Sequence, residues 1–135
     1  MESHVYDRLR EMKILLIDDD ELIRDSLSLF FSGKGVHLSS FETAEMGLDE
    51  LEKNEYDIII VDYRLPGIDG VEFFKIVQEK QKNALKILIT AYKDHKVVTE
   101  ADKIGIQDII EKPFTSRTIE QALSYRIVEQ EKKFT

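Results

Sequence analysis

The sequence predicts an α/β protein: a doubly wound sheet of five parallel strands, joined by right-handed crossovers, with helices on both faces. Three observations carry this reading. Apolar runs without alternation occur at 14–17 (Ile-Leu-Leu-Ile) and 58–61 (Ile-Ile-Ile-Val), as suits strands buried on both faces. Segments with apolar residues at helical spacing lie between such runs. The strand and helix units alternate five times along the chain. In such sheets the carboxyl ends of the strands share one edge, and ligands bind there.

Val5, Leu9 and Met12, spaced by four and three, fit a short amphipathic helix and equally a frayed terminus. Lys13 leads into the first run, which ends in Asp18-Asp19-Asp20. Ile23, Leu27, Phe30 and Phe31 then repeat at helical spacing, and Gly33 or Gly35 can stop that helix. A short strand lies within 36–41, and Thr43 opens a helix with Ala44, Leu48 and Leu51 on one face. The run 58–61 ends in Asp62, expected where the strand emerges into solvent because an unpaired carboxylate is costly to bury. Leu65-Pro66-Gly67 turns the chain, since Pro fixes φ and Gly tolerates the left-handed region. Asp69 can cap the next helix, with Glu72 at the capping-box position. Val71, Phe74 and Val77 stripe that helix, and the polar segment 78–83 runs out of it. A fourth strand, 85–89, ends in Thr90-Ala91, and Val97, Ala101 and Ile104 mark a fourth helix that Gly105 closes. A short fifth strand, 108–110, leads to Glu111-Lys112-Pro113-Phe114. Thr115 or Ser116 can cap a last helix striped by Ile119, Ala122, Leu123, Arg126 and Ile127, whose charged end, 129–133, is expected in solvent.

At 135 residues, with 42% hydrophobic and 34% charged residues, the chain suits one globular domain with one ordinary core. The absence of cysteine excludes disulfides and thiolate metal sites and fits the cytoplasm. No apolar run approaches the roughly 18 residues of a membrane span, and the polar start Met-Glu-Ser-His lacks a signal peptide's apolar segment, so no membrane association is expected. A net charge of -8 argues against direct nucleic-acid binding, which needs clustered Lys and Arg. His4, His37 and His95 have no paired spacing that suggests metal.

The parallel topology gathers the polar residues at the strand ends: Asp18 and Asp19, Asp62, Thr90, Lys112. Singly, each is well explained as a cap or a solvated charge. Jointly they make a site. Three carboxylates at close range repel one another unless a cation sits among them, and oxygen-only ligands favour Mg²⁺ or Mn²⁺. A lysine and a hydroxyl beside such an ion suit a phosphoryl group, and an aspartate can be the nucleophile that receives it.

Over roughly 12–128 the sequence resembles a receiver domain of a two-component response regulator. The resemblance rests on Asp18-Asp19, Asp62 with Leu65-Pro66-Gly67 and Asp69-Gly70, Thr90-Ala91, and Lys112-Pro113-Phe114, in that order and at these spacings. It implies a flavodoxin-like sheet of strand order 2-1-3-4-5. It also implies that Asp62 accepts a phosphoryl group from a phosphohistidine of a sensor histidine kinase or a phosphotransfer domain. Asp19, Asp62 and the main-chain carbonyl of Arg64 would bind Mg²⁺ directly and Asp18 through water. Lys112 would pair with the phosphoryl group, Thr90, followed by Ala91, would move toward it, and the Lys112–Pro113 peptide would be cis. Such a domain signals rather than catalyses, although it assists its own phosphorylation and dephosphorylation.

One position departs from the family. Receiver domains commonly carry Tyr or Phe three residues before the lysine; here Ile109 has neither ring nor hydroxyl. Activation is therefore expected to run through Thr90 and backbone shifts near 91–94, with less reorientation at Ile109. Arg64 and Tyr92, each two residues beyond a site residue, are expected to flank the acyl phosphate and slow its hydrolysis. The family's output face, its fourth helix, fifth strand and fifth helix, corresponds to 97–104, 108–110 and 119–127, a surface for partners including a second copy. The chain divides into an N-terminal extension (1–11), the receiver (12–128) and the charged end of the last helix (129–135).

A competing resemblance is to haloacid-dehalogenase-like phosphatases, Mg²⁺ enzymes that open with Asp-x-Asp and use an aspartyl nucleophile. There Asp18 would be phosphorylated and Asp20 would assist. Leu22 stands where Thr or Val belongs, no acidic pair follows Lys112, and the chain is short for that fold.

Overall fold

A computed structural model describes residues 3–133. Its elements run α1 (Ser3–Arg10), β1 (Lys13–Ile17), α2 (Glu21–Ser32), β2 (His37–Phe41), α3 (Ala44–Lys53), β3 (Ile58–Asp62), α4 (Gly70–Val77), β4 (Leu85–Thr90), α5 (His95–Lys103), β5 (Asp108–Glu111) and α6 (Ser116–Lys132). All strand pairs are parallel and the order is β2-β1-β3-β4-β5, as the resemblance implies.

The continuous apolar runs sit in the middle of the sheet because each strand must feed two cores. Ile14, Leu16, Ile58, Ile60, Ile87 and Ile89 point to the side covered by α2, α6 and α1, where Leu27, Phe31, Ile119, Leu123 and Ile127 meet them. Leu15, Ile17, Ile59, Val61 and Leu88 point to the other side, against Ala44 and Leu51 of α3, Val71 and Phe74 of α4, and Val97 and Ala101 of α5. Side chains alternate along each strand, so an unbroken apolar run is what a sheet covered on both faces requires.

Caps fix the ends. Asp20, Thr43, Asp69, Asp94 and Thr115 each accept a backbone N–H from the first turn of the helix they precede. Thr115 completes a reciprocal capping box with Thr118. At α2 the left-handed residue is Gly35 (φ 73°), with Val36 N–H donating to the Phe31 carbonyl and Gly35 N–H to that of Ser32. Gly105 (φ 78°) closes α5 in the same way, toward Ala101 and Asp102.

One open alternative is decided and two expectations need revising. Of the two forms open to the amino-terminal segment it takes the helix: Val5 and Leu9 are fully buried in the α2–α6 core, and the Tyr6 hydroxyl donates to the buried Glu120. The charged end of α6 is not merely solvated, because Glu131 pairs with His4 and Arg8 of α1. The polar segment 78–83 contains a buried side chain, Gln81. Its amide satisfies the Tyr56 N–H and the carbonyls of Leu51 and Asn54, groups that would otherwise be buried without partners. Among the described residues no helix is long and apolar enough to cross a membrane.

Truncating Leu9 to Ala removes a fully buried side chain and is expected to lower stability by about 2–4 kcal/mol in urea titration, whereas a frayed segment would give a change near zero. Gly70→Ala is expected to cost about 1–3 kcal/mol, since its Cβ would stand 2.7 Å from both the Asp62 carbonyl oxygen and Leu88 Cδ1.

Candidate functional site

The register builds the site. Ile17 lies opposite Val61, so Asp18 and Asp62 leave the sheet side by side. Thr90 lies opposite Glu111, and the N–H of the next residue, Lys112, donates to the Thr90 carbonyl at 2.8 Å. Four strands thus deliver their carboxyl-terminal residues to one place. Carboxylate oxygens of Asp18, Asp19 and Asp62 lie within 4.8 Å of one another. Lys112 Nζ reaches between them, 3.0 Å from Asp62 Oδ2 and 3.4 Å from Asp18 Oδ2.

Asp62 does not emerge into solvent as its place at a strand end suggests. It is 4% exposed and Asp18 is 0% exposed, while Asp19 is open. Burial of Asp62 is tolerated because the Lys112 ammonium bonds one oxygen and the Arg64 backbone N–H approaches the other at 3.3 Å. Asp18 is held less well. Its Oδ1 accepts the Asp20 N–H at 2.9 Å, but Oδ2 makes no hydrogen bond. Burial, and after it the neighbouring Asp62 charge, push its carboxyl up to about 6, against the opposing pull of the Asp20 N–H and Lys112. For Lys112, burial disfavours the charge, yet the hydrogen bond and charges of Asp62 and Asp18 outweigh it and raise the ammonium above the ordinary lysine value.

The donor set fits a hard divalent cation. Three carboxylates against one ammonium leave an excess of negative charge, every donor is oxygen, and one buried carboxylate oxygen, Asp18 Oδ2, has the 3.4 Å ion pair to Lys112 but no hydrogen bond. Mg²⁺ meets these terms, and Mn²⁺ shares its preference for oxygen donors.

Other residues singled out from the sequence lie around this centre. Thr90 is buried, and its hydroxyl exchanges 3.2 Å hydrogen bonds with the Tyr92 backbone. Ala91, Arg64 and Tyr92 are exposed at the rim, Tyr92 at 71%. The Lys112–Pro113 peptide is cis. Ile109 stands apart, half-buried between β5 and α5, in a groove with Lys93, Val98 and Ala101. Asp20 stays out of the cluster because its carboxylate caps α2 at the Leu22 N–H. Sequence reasoning overlooked Arg24, which holds the Asp18 carbonyl at 2.8 Å, and Glu111, which accepts the Lys93 N–H at 2.9 Å. Both act on main-chain groups, and no spacing in the sequence announces such contacts.

The model of the response regulator receiver domain matches residues 14–124. The chain belongs to this family. The receiver domain is 35% identical over 101 residues to the transcriptional regulatory protein FixJ of Bradyrhizobium diazoefficiens, covering 75% of this chain and 49% of that one. It therefore spans about half the length of that curated relative. It is 30% identical over 111 residues to the sporulation initiation phosphotransferase F of Bacillus subtilis, covering 82% of this chain and 90% of the other. Among solved structures, a CheY-like response regulator receiver domain protein from Methanospirillum hungatei superposes with a TM-score of 0.84 at 26% identity, covering 90% of this receiver domain and 98% of that chain. The haloacid-dehalogenase alternative, with Asp18 and Asp20 in the catalytic pair, is set aside: the sheet order and the family match belong to a receiver, and Asp20 is occupied as a cap.

The Asp18 carboxyl binds its proton more tightly in the fold than in the unfolded chain, where it titrates near the ordinary value of about 3.9. Between about pH 4 and 6 the folded state thus holds more protons, and metal-free stability is expected to fall as pH rises through that window. Asp18→Asn removes the buried charge, so it should flatten this dependence and stabilise the metal-free domain at pH 7 by about 1–3 kcal/mol. Urea titration in EDTA at several pH values measures both.

Proposed function

We propose that Asp62 is the phosphoacceptor, taking a phosphoryl group from a phosphohistidine on a sensor histidine kinase or a histidine phosphotransfer protein. The observation that carries this is the pairing of the Asp62 carboxylate with Lys112 beside Asp18 and Asp19 at the sheet edge. An Asp62 carboxylate oxygen attacks phosphorus, the N–P bond breaks with its electron pair going to the imidazole, and an acyl phosphate remains. Lys112, already between the carboxylates, meets the charge on the phosphoryl oxygens without having to be brought in. Thr90 supplies a hydroxyl proton to the same group. Asp18, Asp19, Asp62 and the Arg64 carbonyl would hold Mg²⁺, which when bound neutralises phosphoryl charge.

The modification would be read at α5, β5 and α6, the counterpart of the family's output face, by a protein partner or a second copy of the chain. The net charge of -8 supports a protein rather than a nucleic acid as that partner. On this reading the working unit is residues 12–128, with α1 and the end of α6 as added support, and its place is the cytoplasm, where phosphohistidine donors face it. Arg64 and Tyr92, bulky and exposed at the rim, would hinder the water that hydrolyses the acyl phosphate.

Acetyl phosphate with Mg²⁺ should phosphorylate the wild type, as read by mass spectrometry, and Asp62→Asn should abolish incorporation. Incorporation that survives Asp62→Asn and is lost in Asp18→Asn would overturn the assignment. Arg64→Ala and Tyr92→Ala should each shorten the phosphorylated lifetime severalfold in a decay assay; unchanged lifetimes in both would remove them from this role.

A further inference from the structure

The end of β4 and the loop that follows it are stitched to the end of β5 at one point each. The Lys112 N–H donates to the Thr90 carbonyl at 2.8 Å, and the Glu111 carboxylate accepts the Lys93 N–H at 2.9 Å. Between these stitches the Thr90 hydroxyl donates to the Tyr92 carbonyl and accepts the Tyr92 N–H, each at 3.2 Å. A hydroxyl has one proton. If Thr90 gives it to a phosphoryl oxygen on Asp62, the bond to the Tyr92 carbonyl is lost, and the segment from 91 onward loses part of its inner tether. Among the holds that remain are the Lys93 N–H on Glu111, which ties the segment to β5, the Asp94 N–H on the Tyr92 carbonyl at 3.1 Å, and Asp94 itself as the cap of α5.

Lys93 is also a wall of the groove of about 210 Å³ between α5 and β5, which it shares with Val98, Ala101, Ile106 and Ile109. Ile109 has no ring to exchange between buried and exposed positions, so a signal reaching this groove has to come through the backbone. We propose that Glu111 is the positioning residue that couples phosphorylation of Asp62 to this groove. Its carboxylate holds Lys93 as a pivot, so that when Thr90 releases Tyr92 the segment 91–94 turns against β5 and alters the packing around Ile109 and Val98. Without the pivot the same release frees the loop into solvent and leaves the groove unchanged. Glu111 touches none of the reacting atoms; it acts through Lys93. The proposal rests on Asp62 being the acceptor.

The test is NMR of the full chain with labelled Ile and Val methyl groups, before and after Mg²⁺ and beryllofluoride, a phosphoryl mimic. Uptake of the mimic is followed separately by fluorine NMR, with Asp62→Asn as the blank. In the wild type the Ile109 and Val98 methyl signals should shift. Glu111→Ala should take up the mimic to the same extent yet lose more than half of that shift. Glu111→Asp, one methylene shorter, should lose it likewise and provides the test if the alanine variant does not fold. Glu111→Gln, whose amide oxygen can still accept the Lys93 N–H, should keep it. A full methyl response in Glu111→Ala or Glu111→Asp, or a loss in Glu111→Gln equal to theirs, would overturn the coupling. Failure of the wild type to take up the mimic, or uptake that survives Asp62→Asn, would instead overturn the acceptor assignment, and the coupling with it.

Discussion

One ammonium among three carboxylates is the constraint around which this molecule is arranged. Lys112 Nζ lies within 3.4 Å of two aspartates that are almost wholly removed from water. Taking one carboxylate out of water costs several kcal/mol, and a single lysine offsets that for Asp62 better than for Asp18. The surplus of negative charge is built in and makes the cluster receptive to cations. On the proposed reading a divalent ion would balance the carboxylates and leave the ammonium free to balance the phosphoryl oxygens.

Holding like charges this close requires a rigid frame. The sheet supplies it through register, because the pairing of Ile17 with Val61 and of Thr90 with Glu111 fixes which residues end level with one another. Gly70 lets α4 pass against the Asp62 carbonyl at a distance no side chain would allow. On the opposite face α1 fills the core between α2 and α6 with Val5 and Leu9 and ties both ends of α6, through Glu120 and Glu131. That helix comes directly after Lys112-Pro113-Phe114, so its placement contributes to the placement of the lysine.

The fold was largely legible in the amino-acid order, and for a physical reason. Strands covered on both faces must be apolar at every position, and the runs at 14–17 and 58–61 have no other economical explanation. The acidic and basic residues at the strand ends were legible as a group because parallel strands deliver their ends to one edge. What could not be read depends on contacts between distant positions. Asp62 looks solvent-facing until Lys112, fifty residues later, is known to cover it. The helix at 3–10 is too short for periodicity alone to separate it from a frayed end; the core that receives Val5 and Leu9 decides it. Gln81 looks like one more polar residue in a turn, yet it is buried to satisfy three backbone groups. Glu111 and Arg24 act on main-chain atoms, which carry no sequence signature.

The charge surplus can be tested directly by diffraction from crystals soaked in Mn²⁺, whose anomalous signal locates the ion. One strong peak is predicted, bonded to oxygens of the cluster formed by Asp18, Asp19 and Asp62, with Lys112 still paired to Asp62. A peak elsewhere on the surface, with these three carboxylates unoccupied and Lys112 alone balancing them, would contradict it.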